Sequence, residues 1–419
     1  MAKHAILSPS GSVKWTNCHG APRMEQLAGK EATSPYASEG TAAHFLASEV
    51  LSEPGRFNIP DEWRLTRTIS VVDGVAYWSK EAPIGNLDGY YFLDSGTDED
   101  MCDLVQQYLD SLREYCGDDG MLFAEQALSI ECVTGEEGAE GTSDAIIVLP
   151  GELQVHDYKH GRKAVSAEYN TQMLVYAAGA VDFYEGMFEF DVATMVIHQP
   201  RLGPPSYWTI TLEEFKEWVA KIKDSAVRAT RALELATDEY ETLKTFLYPG
   251  DHCRKGFCKA RATCPALGKE VADITTEPII DCLDLATLAE KAKAVPMIED
   301  WCKAVSVRLH LEAAVEGNQV PGFKVVKGRD GNRKFDNDTE VEALLKSMKV
   351  KHDVIYDYKL ASPTKLEEAF KAGAIGPRQW PKVVEHIVRE PGGLKVVPEY
   401  AKGAPIVVDK ALDDFDIVE

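Results

Sequence analysis

G141-T-S-D-A-I-I-V-L-P-G-E-L-Q-V-H-D-Y-K159 is the stretch whose reading decides the fold. Two short apolar runs flank Pro150-Gly151, a strong turn signal: proline fixes φ and glycine tolerates the positive φ that a tight reversal needs. The pair predicts two adjacent antiparallel strands. A loop symmetric about the Pro150–Gly151 bond sets Val148 opposite Leu153, Ile146 opposite Val155 and Asp144 opposite Asp157. One face is then apolar near the turn and ends in two facing carboxylates, with Cβ atoms about 4.5–5.5 Å apart. Lys159, two residues beyond Asp157, points to the same face.

Working outward, MLFAEQALSI (121–130) reads as a strand before the hairpin, AEYNTQMLVYAAGAV (167–181) as a helix after it, and ATMVIHQP and SYWTITL as two further strands. An amphipathic helix follows from Leu212 to about residue 235. Strand-strand-strand-helix-strand order predicts an α/β core with a mixed sheet flanked by helices. Upstream, EGTAAHFLASEVL carries His44 on a helix, and a further helix is expected through Tyr115 after the acidic TDEDMCD, within a stretch that otherwise reads as mixed. Downstream, residues 285–317 predict a helix pair. PGFKVVKGRDGNRKF predicts a hairpin turning at Asp330-Gly331, and short helices follow. The expected division is a core over 1–270, an accessory module over 271–405 with that helix pair and hairpin, and an acidic, flexible tail over 406–419.

With 419 residues, 45% of them hydrophobic, the chain can bury a sizeable core. Its formal charge of −23 argues against a protein that coats nucleic acid non-specifically, since phosphate binding draws on Lys and Arg. A local basic groove can still coexist with an acidic exterior. No apolar run reaches the roughly eighteen residues of a membrane span, and no signal-peptide pattern opens the chain, so a cytoplasmic protein is expected. Nine cysteines, odd in number and unevenly spread, point to reduced thiols or metal ligation rather than a secreted disulfide framework.

Two carboxylates facing each other on a half-buried sheet repel unless a cation lies between them. A divalent ion is the natural resident, Mg²⁺ or Mn²⁺ taking oxygen from Asp144 and Asp157. The alternative is a turn-capping Asp144 and an Asp157–Lys159 salt bridge. C253-R-K-G-F-C258-K-A-R-A-T-C264 sets three cysteines among glycine and basic residues, a loop suited to metal-bound thiolates, and three ligands call for a fourth. Cys102, Cys116, Cys132, Cys282 and Cys302 read as small buried hydrophobes. Lys324, Lys327, Arg329, Arg333 and Lys334 form the densest basic run, a candidate DNA-contacting wing or else a solvated hairpin.

G141-T-S-D144 followed by D157-Y-K159 resembles motifs II and III of the PD-(D/E)XK nuclease superfamily, and Q172-M-L-V-Y176 resembles the QxxxY motif of its RecB-like branch. E39-G-T-A-A-H44 resembles that branch's first motif, which implies His44 as a further metal ligand, and Glu125 falls where relatives sometimes carry another acid. S12-V-K-W-T-N-C18 resembles the N-terminal W-x-x-C of the AddB-type and CRISPR-associated adaptation nucleases. That likeness implies a 4Fe-4S cluster on Cys18, Cys253, Cys258 and Cys264, with zinc as the alternative; here four residues separate the first two late cysteines, where the family usually has two. Over nearly its full length the chain is similar to a phage and prophage family of RecB-like nucleases encoded beside single-strand-binding or annealing proteins. The resemblance implies a restriction-endonuclease-like core and a Mg²⁺- or Mn²⁺-dependent DNA exonuclease resecting double-stranded ends, with catalytic Asp144, Asp157, Lys159, Gln172 and Tyr176. The alternatives are an endonuclease or trimming nuclease, and a non-catalytic DNA-end or partner-binding protein on the same fold. Polarity and oligomeric state stay open.

Overall fold

The computed structural model describes residues 5–29, 35–79, 89–93, 101–236, 239–276, 285–329, 334–335, 337–356, 360–388, 393–398 and 403–406. The chain divides into two compact units, Met1–Val305 and Ser306–Glu419. In the first, helix α1 (Pro35–Leu51) precedes β1 (Thr68–Val72), β2 (Val75–Ser79) and β3 (Gly89–Phe92), a small antiparallel sheet in the order β2-β1-β3. The sequence pattern does not announce this sheet. Its strands have four or five residues, too few for alternation to stand out.

Helix α2 (Met101–Cys116) leads into the main sheet of β4 (Met121–Ser129), β5 (Glu140–Leu149), β6 (Gly151–Tyr158), β7 (Phe190–His198) and β8 (Ser206–Thr211). Their order is β4-β5-β6-β7-β8. All neighbours are antiparallel except β6 and β7, which are parallel because α3 (Thr171–Tyr184) carries the chain back between them. Helix α4 (Leu212–Leu233) follows, opened by a capping box between Thr211 and Glu214. The architecture is the mixed, helix-flanked α/β sheet that the element order predicts. No helix among the described residues is long and apolar enough to cross a membrane.

The hairpin sits in the middle of this sheet, buried on both faces. Ile146, Val148, Leu153 and Val155 pack with Met173, Leu174 and Ala177 of α3, while Ala145, Ile147 and Tyr158 pack with Leu46 of α1 and Val105 and Tyr108 of α2. Since both faces are apolar, hydrophobic pattern alone cannot choose the register; the turn must. Gly151 has φ 78, and the pairs run Leu149↔Glu152, Val148↔Leu153, Ile147↔Gln154, Ile146↔Val155 and Ala145↔His156, as a reversal centred on Pro150-Gly151 predicts. Helix α3 begins later than its sequence pattern. Tyr169 at φ 58 breaks the helical run, and the Asn170 side chain caps the helix by accepting from the Gln172 and Met173 amides at 3.0 and 3.3 Å.

A single helix, α5 (Leu285–His310), with Pro296 inside it, runs on into a π turn at Leu311–Val315 where the sequence predicts a helix pair. The predicted basic hairpin is also corrected. In the second unit the strands are β9 (Phe323–Lys327), β10 (Lys334–Phe335), β11 (Ile387–Val388) and β12 (Leu394–Pro398), and β9 pairs with β12 while β10 pairs with β11. Val325 belongs to a cluster with Ala313 and Ala314, whereas Phe335 belongs to another with Val341, Leu345 and Leu366. Two separate cores claim the two halves and override the local turn signal. Lys324, Lys327 and Arg329 lie on or just beyond β9, apart from Lys334 on β10. Asp330, Gly331, Arg333, the side chain of Lys334 and tail residues 407–419 lie outside the described residues.

Two histidines are buried in the main sheet. His156 Nε2 meets Gln154 Oε1 at 3.1 Å and His156 Nδ1 meets His198 Nε2 at 2.9 Å. If the Gln154 carbonyl accepts from Nε2–H, then His156 Nδ1 is bare and accepts from His198, whose own Nδ1 has no partner. Burial holds both rings in the neutral form, His198 down to about 3. Below the ordinary histidine pKa the unfolded chain therefore binds protons that the fold refuses. Stability falls as pH drops from about 6.5 towards 3. We expect urea midpoints to decline between pH 7 and pH 5, and to decline less in His198→Gln; equal declines would exclude this pair as a source.

Candidate active site

Three carboxylates lie in a row across three adjacent strands. Asp144 is one step beyond the Ala145↔His156 pair, so it comes opposite Asp157. On the other side the pairs Ala124↔Ala145 and Gln126↔Ser143 bracket Glu125 opposite Asp144. Glu125 has φ 47, a left-handed conformation that interrupts the β4 ladder at the row itself. Such a conformation in a non-glycine residue costs about 1–3 kcal/mol and persists where surrounding packing enforces it. The sequence marks Glu125 only as an accessory acid; its register with Asp144 shows it to be a member of the row.

Cations and amides fill the space between the acids. The Tyr158 amide donates to Asp144 Oδ2 at 2.8 Å, and His44 Nδ1, brought by α1, lies 3.4 Å from Asp144 Oδ1. Gln172 Nε2 donates to Asp157 Oδ1 at 3.0 Å, and Lys159 Nζ donates to the same oxygen at 3.1 Å and to Gln172 Oε1 at 3.3 Å. Lys159 also stands 2.8 Å from Asp157 Oδ2, off the hydrogen-bonding angle, so that buried oxygen accepts no hydrogen bond. Tyr176 is one turn along α3, and a Cβ at Gly141 would clash with Pro9 at 2.8 Å and crowd the Tyr176 ring at 3.1 Å. The glycine of G141-T-S-D144 thus has a steric reason. Asp144, Asp157, Lys159, Gln172, Tyr176, His44 and Glu125 all converge.

Charge balance follows from this packing. Burial opposes the His44 cation, but the neighbouring Asp144 carboxylate outweighs it and lifts the pKa to about 9. Asp144 is also disfavoured by burial, yet His44 and the Tyr158 amide hold it below the usual carboxylate range. Burial raises Asp157 despite Lys159 beside it. Among the described residues no three His, Cys, Asp or Glu side chains stand ready to close on one metal ion. Asp157 Oδ2, which accepts no hydrogen bond, and the neighbouring carboxylate oxygens and imidazole are nonetheless donors of the chemical type that Mg²⁺ or Mn²⁺ takes.

Behind the row is a buried relay that sequence reasoning misses. Tyr158 Oη and His160 Nδ1 are 2.8 Å apart, His160 Nε2 and Glu39 Oε1 3.2 Å, and Arg201 Nη2 donates to Glu39 Oε1 at 2.7 Å. Glu39 lies on α1 five residues before His44, so Arg201 and His160 hold the helix that delivers the histidine. The quoted E39-G-T-A-A-H44 contained the signal, but nothing local named its partners.

The early and late cysteines share a cavity, although among the described residues no three of them stand ready to hold one metal ion. Cys18, Cys253, Cys258 and Cys264 line one cavity with Met24, Leu247 and Leu267. Burial pushes the thiols of Cys18 and Cys258 up, to about 11 and about 12. The N-terminal segment is tied in by Trp15, buried in the main core, and by the Lys14–Glu25 ion pair at 2.7 Å, with Glu25 also accepting from the Lys259 amide at 2.8 Å. Of the other cysteines, Cys102 and Cys116 are buried as expected and Cys132 is half-buried, but Cys302 is exposed; Cys282 lies outside the described residues.

Burial first, and then the Asp144 charge, raise Glu125 to about 7. Its carboxyl keeps a proton that the unfolded chain releases from about 4.5 upward, so Glu125 subtracts stability as pH rises from 4.5 to 7. In metal-free protein Glu125→Gln should melt higher than wild type at pH 8 and by a smaller margin at pH 5. An equal difference at both pH values would remove Glu125 from the repelling row.

The solved structure described as "Crystal structure of SSO0001" is similar to part of the chain, at 16% identity over 39% of this chain and 68% of that one, with a TM-score of 0.22. A family model described as "Protein of unknown function (DUF2800)" matches residues 4–403. A match of that extent makes the chain a member of the DUF2800 family.

Proposed function

We propose that this protein is a metal-dependent DNA nuclease of the RecB-like PD-(D/E)XK type, an exonuclease that resects double-stranded ends in phage recombination or DNA processing and hands single strands to a single-strand-binding or annealing partner. The observation that carries the reading is the row of facing acids with Lys159 and Gln172 bonded to Asp157. An acidic row with Asp157 buried and Asp144 half-buried would be a poor use of a sheet without a catalytic purpose, because like charges there destabilise it.

His44, Asp144 and Asp157 would hold Mg²⁺ or Mn²⁺, with Glu125 as an accessory ligand. The ion supplies a water of lowered pKa and a counter-charge for the phosphoryl oxygens. His44 must first release the proton that Asp144 favours, so metal uptake is coupled to proton release. Gln172 bridges Asp157 and Lys159 by hydrogen bonds and limits their rotation. Lys159 then keeps a positive charge beside the acids, where it orients a nucleophile or steadies a departing oxygen. Tyr176 presents a phenol on the same helix face, poised to position substrate.

The cavity shared by Cys18, Cys253, Cys258 and Cys264 supports a 4Fe-4S cluster as a structural clasp, with zinc as the other metal that thiolates of this number would take. A bond network from residue 18 to residue 264 would constrain a long loop of the unfolded chain.

With Mg²⁺ or Mn²⁺, wild type should shorten linear duplex DNA, and Asp144→Ala and Lys159→Ala should each slow it by about 10²-fold or more. Equal cleavage by all three proteins would sink the mechanism, and cutting of covalently closed circles would convert the exonuclease into an endonuclease. Protein purified without oxygen should be brown, absorb near 400 nm and contain iron and sulfide, with Cys18→Ala lowering both. A colourless wild type carrying zinc would replace the cluster assignment.

A further inference from the structure

We propose that Lys163, Arg254, Lys255 and Phe257 form a landing surface for single-stranded DNA beside the carboxylate row. The proposal rests on the nuclease reading for its choice of polymer. The loop after β6 runs directly from Lys159 to Lys163 and is rigidly held. Gln199 Oε1 accepts from the Val165 amide at 2.8 Å, Gln199 Nε2 donates to the Lys163 and Gly161 carbonyls at 2.9 and 3.3 Å, and Arg201 Nη1 donates to the His160 carbonyl at 3.0 Å. At its exposed tip Lys163 Nζ stands 4.8 Å from the centroid of the Phe257 ring.

Phe257 belongs to the cysteine loop. It is 62% exposed and has φ 50, so a large apolar ring is pushed into solvent from a left-handed backbone. Around it the cations crowd: burial first, and then the positive charges of Arg254 and Lys255, hold the Lys163 ammonium below the usual lysine range. Acids answer only part of this. Asp251 pairs with Lys255 at 2.9 Å in an exposed helical pair that water readily exchanges, and Asp300 is engaged by Arg261 at 3.1 Å. Arg254 Nε is buried without a hydrogen-bond partner.

Like charges gathered around an exposed ring in a chain of net charge −23 are a local exception. A polymer that brings regularly spaced anions and flat faces satisfies both features together. Phosphates would sit on Lys163, Lys255 and Arg254, while one base stacks on Phe257, a mode tolerant of sequence. Duplex DNA keeps its bases stacked inside, so the ring favours a single strand. The basic run at Lys324–Lys334, on which sequence alone places DNA contacts, is divided between two sheets.

The test reads binding without cleavage, by anisotropy of a fluorescein-labelled oligothymidylate in Ca²⁺. Phe257→Ala should weaken binding by about 5- to 100-fold, the range expected when one base loses a stacking partner, and Phe257→Trp should preserve it. Lys163→Glu should weaken binding and flatten the dependence of log affinity on log salt by about 0.7 per lost phosphate contact. Affinities of Phe257→Ala and Lys163→Glu within twofold of wild type, in proteins with unchanged melting temperatures, would overturn the proposal. The two readings fail separately: wild type that binds the oligonucleotide but hydrolyses no DNA sinks the nuclease, whereas active wild type with unaffected variants sinks this surface alone.

Discussion

The register of one hairpin is the constraint on which the site depends. Pro150-Gly151 reverses the chain so that Ala145 meets His156, and from that point geometry leaves Asp144 little choice but to confront Asp157. Both faces of β5 and β6 are sealed, by α3 on one side and by α1 and α2 on the other. Asp157 is buried and Asp144 half-buried, so neither can turn fully to water as it would on an open sheet. Their charge must be met where they stand, and the sequence supplies Lys159 two residues on, Gln172 from the crossover helix and His44 from α1. A one-residue slip would point Asp157 and Lys159 at α1 and α2 and leave Gln172 without its carboxylate.

That compensation is adequate without being complete. His44 is held as a cation by Asp144, and Asp157 Oδ2 still accepts nothing. Asp157 and Glu125 are both pushed towards the neutral acid, while Asp144 is pulled the other way. Three neighbouring carboxyls with divergent proton affinities make a site that is balanced by protons in isolation and that the proposed divalent ion would balance better. Glu125 adds backbone strain at the same row, and the second layer of Arg201, Glu39 and His160 prevents α1 from retreating. Strain and repulsion are tolerated because the surrounding sheet and helices are otherwise apolar and well packed.

What the sequence disclosed and what it hid divide along the range of the interactions. The hairpin was legible because its turn, strands and acids lie within nineteen residues of Gly141, and periodicity gave β4, β7, β8 and α4 for the same reason. The Glu125–Asp144 opposition was harder, since it follows from the β4–β5 register, which no tight turn sets. The Glu39–His160–Arg201 relay was invisible because Glu39 lies more than a hundred residues of chain from both its partners. The failed hairpin at Asp330-Gly331 is the converse case. A turn dipeptide is a weak local preference, whereas burying Val325 in one cluster and Phe335 in another engages whole elements far along the chain. Local signals succeed where packing agrees with them and lose where it does not.

The strongly acidic composition opposes nucleic acid in bulk, and distance resolves the conflict. At physiological salt the potential of an exposed charge fades over about 8 Å. The acidic helices and loops elsewhere therefore weigh little at a phosphate lying on Lys163 or Arg254, while cations within a few ångströms of it weigh fully. An acidic exterior does act at long range during approach, where it repels polyanions that do not find the basic edge. A chain so charged would bind DNA weakly in general and firmly only where the cationic edge and the carboxylate row can be engaged together. Its affinity should then depend on a few contacts, which would suit the proposed exonuclease, since such an enzyme must release each product and advance to the next bond.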